Sequence, residues 1–167
     1  ARRLRPLTDA VPKALVDIAG KPFVVRQIEI LRRNGLMEIV LCVGYLGERV
    51  ETALGEGREL GVHIEYSYDG PSPLGTGGAL RKALPLLGES FFVLYGDSYL
   101  DCDYTAIAEA YRESGQPALM TVYRNAGQWD RSNILFAKGS IRCYDKVHPS
   151  ADMEHIDYGL GVMSRPA

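Results

Sequence analysis

The stretch Phe91-Phe92-Val93-Leu94-Tyr95-Gly96-Asp97 decides the fold class, because five apolar or aromatic residues in a row precede a glycine and an acid. A short run with no polar side is typical of a strand buried on both faces, as in a parallel sheet. Residues 38 to 43 form a second such run, and we predict that both are central strands. Residues 63 to 68 alternate more and predict a third strand with one partly polar face.

Helical patterns separate these strands. Apolar stripes at helical spacing occupy four segments, each of which ends at or just before a glycine: 22 to 34, 46 to 54, 80 to 87 and 104 to 111. Alternating strands and helices with short connections predict a three-layer α/β domain with a mostly parallel sheet. An antiparallel portion is expected toward the C-terminal end, from a hairpin that turns at Lys138-Gly139 and a last strand near residues 160 to 163.

The composition excludes several classes of protein. The 167 residues are enough for one domain, and 19 basic against 21 acidic residues give a net charge of -2. This balance offers no electrostatic footprint for nucleic acid or an anionic membrane. No apolar run approaches the roughly 20 residues of a spanning helix, and no signal peptide is evident, so we expect a cytoplasmic protein. Cys42, Cys102 and Cys143 stand too far apart to predict a zinc site or a disulfide framework.

Two loops are candidates for chemistry. Ligands of open parallel sheets bind beyond the carboxyl ends of the strands, and Asp97 lies there. Its carboxylate suits Mg²⁺ held together with nucleotide phosphates, although Gly-Asp-Ser is also ordinary turn chemistry. Residues 73 to 80 form a glycine-rich loop that runs into a helix, with Thr76 as the expected N-cap. This loop either admits a ligand close to its backbone or is simply a tight connection.

Basic residues cluster at the start of the chain. Arg2, Arg3, Arg5 and Lys13 all fall within the first 13 residues and suit a polyphosphate, because phosphoryl transfer depends mainly on positioning and charge stabilisation. A solvated basic segment is the alternative. Lys146 ends the predicted hairpin and faces either the same crevice or water.

Six motifs occur in an order that resembles the sugar-1-phosphate nucleotidyltransferase family. They are R-L-R-P-L-T at 3 to 8, V-P-K-A-L at 11 to 15 with A-G-K-P at 19 to 22, L-G-T-G-G-A-L at 74 to 80, Y-G-D at 95 to 97, Y-D-K-V-H-P at 144 to 149, and D-Y-G-L-G-V at 157 to 162. The resemblance implies a Rossmann-like fold of the nucleotide-diphospho-sugar transferase type. It also implies a single domain over residues 1 to 167 that lacks the family's first strand and C-terminal part.

The resemblance implies a role for each matching residue. Arg3 would contact the triphosphate, Lys13 would bridge the nucleotide and sugar phosphates, and Asp97 would hold Mg²⁺. The positions implied to bind substrate are Gly75, Thr76 and Gly78 near base and sugar, Lys146 at the sugar phosphate, and Asp157 and Gly159 at the sugar hydroxyls. Gly70 and Ser72 occupy the neighbourhood where many members read the base, so the base stays open.

The implied reaction converts an NTP and a sugar 1-phosphate into an NDP-sugar and pyrophosphate. The wording of the G-T-G-G-A-L loop favours a guanylyl type that acts on mannose or heptose 1-phosphate, and glucose 1-phosphate with UTP or dTTP stays open. The alternative is a non-catalytic regulatory module that binds a nucleotide or sugar nucleotide. A sugar-phosphate kinase fits less well, because the P-loop pattern is missing. A homo-oligomer also stays open, since the oligomeric state varies within the family.

Overall fold

The computed structural model describes residues 11 to 165. Its helices are α1 (Phe23–Arg33), α2 (Gly47–Leu54), α3 (Gly75–Ala83) and α4 (Tyr104–Ser114), with single 3₁₀ turns at Lys13–Leu15, Arg58–Leu60 and Leu84–Leu86. Its strands are β1 (Asp17–Ile18), β2 (Lys21–Pro22), β3 (Glu38–Val43), β4 (His63–Tyr68), β5 (Ser90–Leu94), β6 (Ala118–Arg124), β7 (Ile134–Ala137), β8 (Ser140–Tyr144) and β9 (His155–Ser164).

The strands form three separate sheets. β1 and β2 make a short antiparallel pair, and β3 and β4 make a parallel pair in which Glu38 lies opposite His63 and Val43 opposite Tyr68. The remaining five strands form one sheet centred on β9, which pairs antiparallel with β5, β6 and β7, while β8 closes the hairpin with β7.

The predicted α/β class with parallel and antiparallel strands is confirmed, but the pairing differs from the expectation. Within residues 11 to 165 the β3–β4 ladder is the sole parallel pairing, and β5 is bonded on one side, to β9. Neither β3 nor β5 is therefore central in the described part of the chain. Both strands line one cavity, and Phe91 to Leu94 are half-buried.

Helix α1 joins two hydrophobic clusters. Val24 and Ile28 pack in the first, which covers the β3–β4 ladder, and Ile30 packs in the second, with Leu160 of β9 and Tyr104 of α4. All five side chains are at least 96% buried. At roughly 25 cal/mol per Å² of apolar surface, this burial stabilises both ends of the helix at once. α1 therefore fixes the β3–β4 ladder relative to the larger sheet.

Local signals predicted most boundaries. Gly35 and Gly115 follow their helices with φ of 77° and 61°, a left-handed conformation that glycine adopts without strain. The hairpin turn carries positive φ at both Lys138 and Gly139, which matches the twist of its two strands. No helix within residues 11 to 165 has both the length and the apolar content needed to cross a membrane.

Candidate functional site

A cavity of about 720 Å³ brings several predicted site residues together. β3, β5 and α3 contribute to its walls, and Lys13, Gly75, Thr76 and Asp97 are among its lining residues. A second cavity of about 740 Å³, between residues 126 to 132 and 149 to 154, contains none of the predicted site residues that the structure describes. The first cavity is therefore the candidate site.

An ion pair marks the mouth of this cavity. Lys13, on the first 3₁₀ turn, places its Nζ 2.6 Å from Oδ2 of Asp97, which follows β5. The two side chains keep 40% and 59% of their surface exposed. Both charges are therefore accessible to an incoming ligand.

A four-residue turn presents Asp97. The Ser98 amide donates to the Tyr95 carbonyl at 3.0 Å, which makes Gly96 and Asp97 the central residues of a β-turn. This turn lies directly after β5, so the carboxylate projects from the end of the strand. The sequence position of Gly96-Asp97 had indicated this placement.

Asp97 fits Mg²⁺ as one ligand and no more. No group of three or more His, Cys, Asp or Glu side chains within residues 11 to 165 could hold a metal ion. Mg²⁺ in nucleotide sites is commonly bound through one or two carboxylates, with substrate phosphates and water supplying the other oxygens. A single exposed carboxylate that lines a cavity of about 720 Å³ is compatible with that mode.

Two hydrogen bonds orient Asp157, and one of them joins it to the turn that presents Asp97. The Tyr95 hydroxyl donates to its Oδ2 at 2.9 Å, and the Gly159 amide donates to its Oδ1 at 2.8 Å. Partial burial, followed by the hydrogen bond to Asp157, raises the pKa of Tyr95 to about 12. The Tyr95 hydroxyl therefore stays protonated at neutral pH and remains a donor to Asp157.

Gly159 is where β9 approaches the Asp97 turn most closely. Its φ of +87° is in the left-handed region, and a Cβ there would lie 2.2 Å from Oγ of Ser98. Its carbonyl accepts a hydrogen bond from the Tyr95 amide at 3.0 Å. Glycine is therefore required at this position for backbone and packing reasons alone.

Lys146 lies near Asp157, and neither residue is among those that line the cavity. Its Nζ is 5.2 Å from the centre of the Tyr144 ring. The hydroxyl of Tyr144 raises the pKa of Lys146 above its ordinary value, and the negative charge of Asp157 adds to this shift. Lys146 is therefore a cation at any physiological pH, close enough to Asp157 to respond to its charge.

The glycine-rich loop differs from the prediction in one respect. Thr76 is not the N-cap: α3 begins at Gly75, Leu74 occupies the cap position, and no side chain caps this end. Thr76 is the second residue of the helix, so its side chain is not at the cap position. The Leu74 amide donates to Oδ2 of Asp69 at 3.3 Å. Gly78 is absent from the cavity lining and lies against Leu74, whose Cβ would be 2.9 Å from a Cβ at Gly78.

Sequence reasoning missed two groups that organise the site. Tyr95 belongs to the quoted Y-G-D motif, but its bond to Asp157 depends on a contact 62 positions away. Gln27 is 7% exposed and donates to carbonyls on both sides of Asp97. A polar residue on the apolar face of α1, three positions after Val24, was the signal that could have found it. Arg3 lies outside the described residues.

The sequence of this chain is similar to a protein family and to several known enzymes. A family model described as nucleotidyl transferase matches residues 1 to 130. The N-acetylmuramate alpha-1-phosphate uridylyltransferase of Neisseria meningitidis serogroup B is 46% identical over 105 residues, which are 62% of this chain and 46% of that protein. The mannose-1-phosphate guanylyltransferase catalytic subunit beta of Xenopus tropicalis is 36% identical over 124 residues, 72% of this chain and 34% of that protein.

A solved structure gives the same picture of the fold. The inositol-1-phosphate CTP transferase from T. maritima superposes with a TM-score of 0.76 at 25% sequence identity, covering 99% of this chain and 66% of that one. The chain thus spans between a third and a half of the length of the two curated relatives.

Proposed function

Because this chain belongs to the nucleotidyl transferase family, we propose that the protein transfers a nucleotidyl group from an NTP to a sugar 1-phosphate and releases pyrophosphate. The observation that supports this most directly is the exposed pair of Lys13 and Asp97 at the mouth of a cavity of about 720 Å³. A cation for phosphates and a carboxylate for a metal ion meet there, next to a glycine-rich helix start. The relatives' names support the same reaction class, since each transfers a nucleotide to a sugar or inositol phosphate.

The chemistry requires alignment and charge neutralisation. An oxygen of the sugar 1-phosphate attacks the α-phosphorus in line with the departing pyrophosphate, and the bond from that phosphorus to the bridging oxygen breaks. The attacking phosphate is already anionic near neutral pH, so it does not need a general base. Lys13 would neutralise charge that develops on the phosphates, and Arg3 would assist it.

Asp97 would hold Mg²⁺ together with the nucleotide phosphates. When bound, the ion would offset negative charge on the oxygens around the α-phosphorus. In this function the protein would hold the Asp97 carboxylate at a fixed position, and the Tyr95–Ser98 turn would provide that position.

The sugar would lie on the side of β9. Both oxygens of Asp157 already accept one hydrogen bond each, and a carboxylate has about four acceptor sites, so it can still accept from sugar hydroxyls. Lys146 would bind the sugar phosphate as a cation. Gly75 and Thr76 would face the nucleotide from the cavity wall, with Gly78 behind them in α3.

The base and sugar are a finer proposal. The G-T-G-G-A-L loop favours a guanylyl type acting on mannose or heptose 1-phosphate. The relatives include a uridylyltransferase as well as a guanylyltransferase, so both bases enter the test.

The test is an assay of pyrophosphate release by the full-length protein with Mg²⁺. GTP, UTP, CTP and dTTP would each be paired with the 1-phosphates of mannose, heptose, glucose and N-acetylmuramate. We expect product from at least one pair, and Asp97→Ala should abolish it. If no pair gives product above background although the nucleotides bind, the chain is a binding module and the proposal is wrong.

A further inference from the structure

A buried amide on α1 reaches the turn that presents Asp97. The Gln27 side chain is 7% exposed, and its Nε2 donates to the Tyr95 carbonyl at 3.1 Å and to the Ser98 carbonyl at 2.7 Å. An amide nitrogen carries two hydrogens, so both are used in these bonds. The two acceptors are the first and last residues of the four-residue turn, with Gly96 and Asp97 between them.

The turn is stabilised by a hydrogen bond within it as well as by the Gln27 side chain of α1. The Tyr95 carbonyl accepts from the Ser98 amide at 3.0 Å in addition to Gln27, so both of its lone pairs are used. The Tyr95 side chain in turn donates to Asp157. One buried amide therefore binds the carbonyls of the first and last residues of the turn that contains Asp97, and the first of them, Tyr95, also orients Asp157.

Packing alone does not explain an amide at this position. Its neighbours along α1, Val24 and Ile28, are 4% and 1% exposed, and Ile30 is 2% exposed. A buried polar group costs free energy unless it is hydrogen-bonded, and an apolar residue of the same size would fill the space without that cost. The two carbonyls to which Gln27 donates explain why this residue carries an amide.

We propose that Gln27 is a positioning residue that fixes the direction in which the Asp97 carboxylate points into the cavity. Its consequence for metal binding rests on the proposed function, in which Asp97 is the metal ligand. The clamp on the turn does not, because it follows from the hydrogen bonds alone. Loss of the amide should loosen the turn and weaken metal binding, and leave the rest of the fold in place.

The experiment compares Gln27→Met, which keeps the volume and removes both donors, with Asn34→Met as the matched control. Asn34 lies at the end of the same helix, and its side-chain amide donates to the Ile30 carbonyl at 3.0 Å, away from the Asp97 turn. The first readout is hydrogen exchange of the Ser98 amide in the full-length protein. We expect at least tenfold faster exchange in Gln27→Met than in wild type, with amides in the middle of α1 unchanged, and no change at Ser98 in Asn34→Met.

The second readout is the binding of Mn²⁺ in the presence of GTP or UTP, followed by electron paramagnetic resonance. Gln27→Met should bind Mn²⁺ at least fivefold more weakly, and Asn34→Met within twofold of wild type. The proposal is wrong if exchange at Ser98 is unchanged in Gln27→Met, or if exchange is faster to the same degree throughout the chain. It is also wrong if Gln27→Met binds Mn²⁺ like wild type while Asp97→Ala binds it more weakly. If Asp97→Ala binds Mn²⁺ like wild type, the metal assignment in the proposed function is wrong, and the Ser98 exchange then decides the role of Gln27 by itself. If Gln27→Met does not fold, Gln27→His takes its place, because histidine retains one donor. Gln27→His should give an intermediate effect on both the Ser98 exchange and the Mn²⁺ affinity. Wild-type values of both in Gln27→His would contradict the proposal.

Discussion

Lys13 and Asp97 are 84 positions apart in the sequence, and their side chains meet with 2.6 Å between Nζ and Oδ2. Exposed ion pairs of this kind contribute only about 0 to 1 kcal/mol to stability, because water screens them and both side chains lose freedom. Stability is therefore a weak explanation for two opposite charges at the mouth of a cavity. Ligand binding is a better one, and we expect that either charge can be removed without unfolding the protein.

Replacing Asp97 by Asn tests the carboxylate. The change keeps the size and removes the charge, so we expect turnover to fall by roughly 100-fold or more, the usual scale for one electrostatic contact to a transition state. The free energy of unfolding should change by less than about 1 kcal/mol. Pyrophosphate release and urea denaturation measure the two effects. Asp101→Asn is the control, since Asp101 is an exposed acid only 3.9 Å from Arg33 and absent from the cavity lining; an equal loss there would contradict a specific role for Asp97.

Replacing Lys13 by Gln tests the cation. We expect kcat/KM for the nucleotide to fall by about 10- to 1,000-fold, because a fixed positive charge near the phosphates is lost. Arg58→Gln provides a matched control, since Arg58 forms an equally short 2.6 Å pair with Glu56 on the surface. That variant should retain wild-type kinetics and lose less than about 1 kcal/mol of stability. Equal kinetics in both variants would count against Lys13 as a phosphate-binding residue.

The sequence predicted those features that depend on neighbours in the chain. β3 and β4 match their predicted bounds, and the Lys138-Gly139 turn has the backbone conformation that a tight hairpin requires. Such features follow from periodicity and from glycine conformation, which are local. The position of Asp97 just after a strand was predicted for the same reason, because the end of β5 determines where the residues that follow it lie.

Features that depend on distant contacts were missed or wrong. An apolar run such as Phe91 to Leu94 signals burial but does not reveal which strand lies beside it, so the antiparallel pairing of β5 with β9 was not predicted. Thr76 was expected to cap α3 because threonine favours that position, yet the helix begins one residue earlier, at Gly75, and Leu74 occupies the cap position. Gln27 stayed hidden because its partners are 68 and 71 positions away.

Replacing Gly159 by Ala tests the close approach of β9 to the Asp97 turn. A Cβ at φ +87° and 2.2 Å from the Ser98 Oγ is both strained and overpacked, so we expect a loss of about 1 to 3 kcal/mol of stability. The double variant Gly159→Ala with Ser98→Gly removes the clash and should recover part of that loss, leaving the backbone strain. Chemical denaturation of the four proteins of this cycle measures the coupling. If the two changes are additive, the contact is not responsible.

Replacing Tyr95 by Phe tests the hydroxyl that orients Asp157. At pH 8 we expect a loss of about 0.5 to 1.5 kcal/mol of stability, the usual contribution of one hydrogen bond, and a higher KM for the sugar 1-phosphate. The pH dependence gives a second check. In the folded protein the pKa of Tyr95 is raised from its ordinary value of 10 to about 12, so its contribution to stability is complete below pH 10 and is lost as the pH rises toward 12.

The free energy of unfolding of the wild type should therefore decline above about pH 10, and that of the Tyr95→Phe variant should decline less steeply. Some decline should remain in the variant, because burial also raises the pKa of Tyr104 to about 12. Urea denaturation at intervals from pH 8 to about pH 11.5 measures both slopes. Tyr45→Phe is the control, because the Tyr45 side chain is 81% exposed. A Tyr95→Phe slope identical to that of Tyr45→Phe would mean that Tyr95 titrates as it does in the unfolded chain, and its hydrogen bond to Asp157 would then not persist in solution.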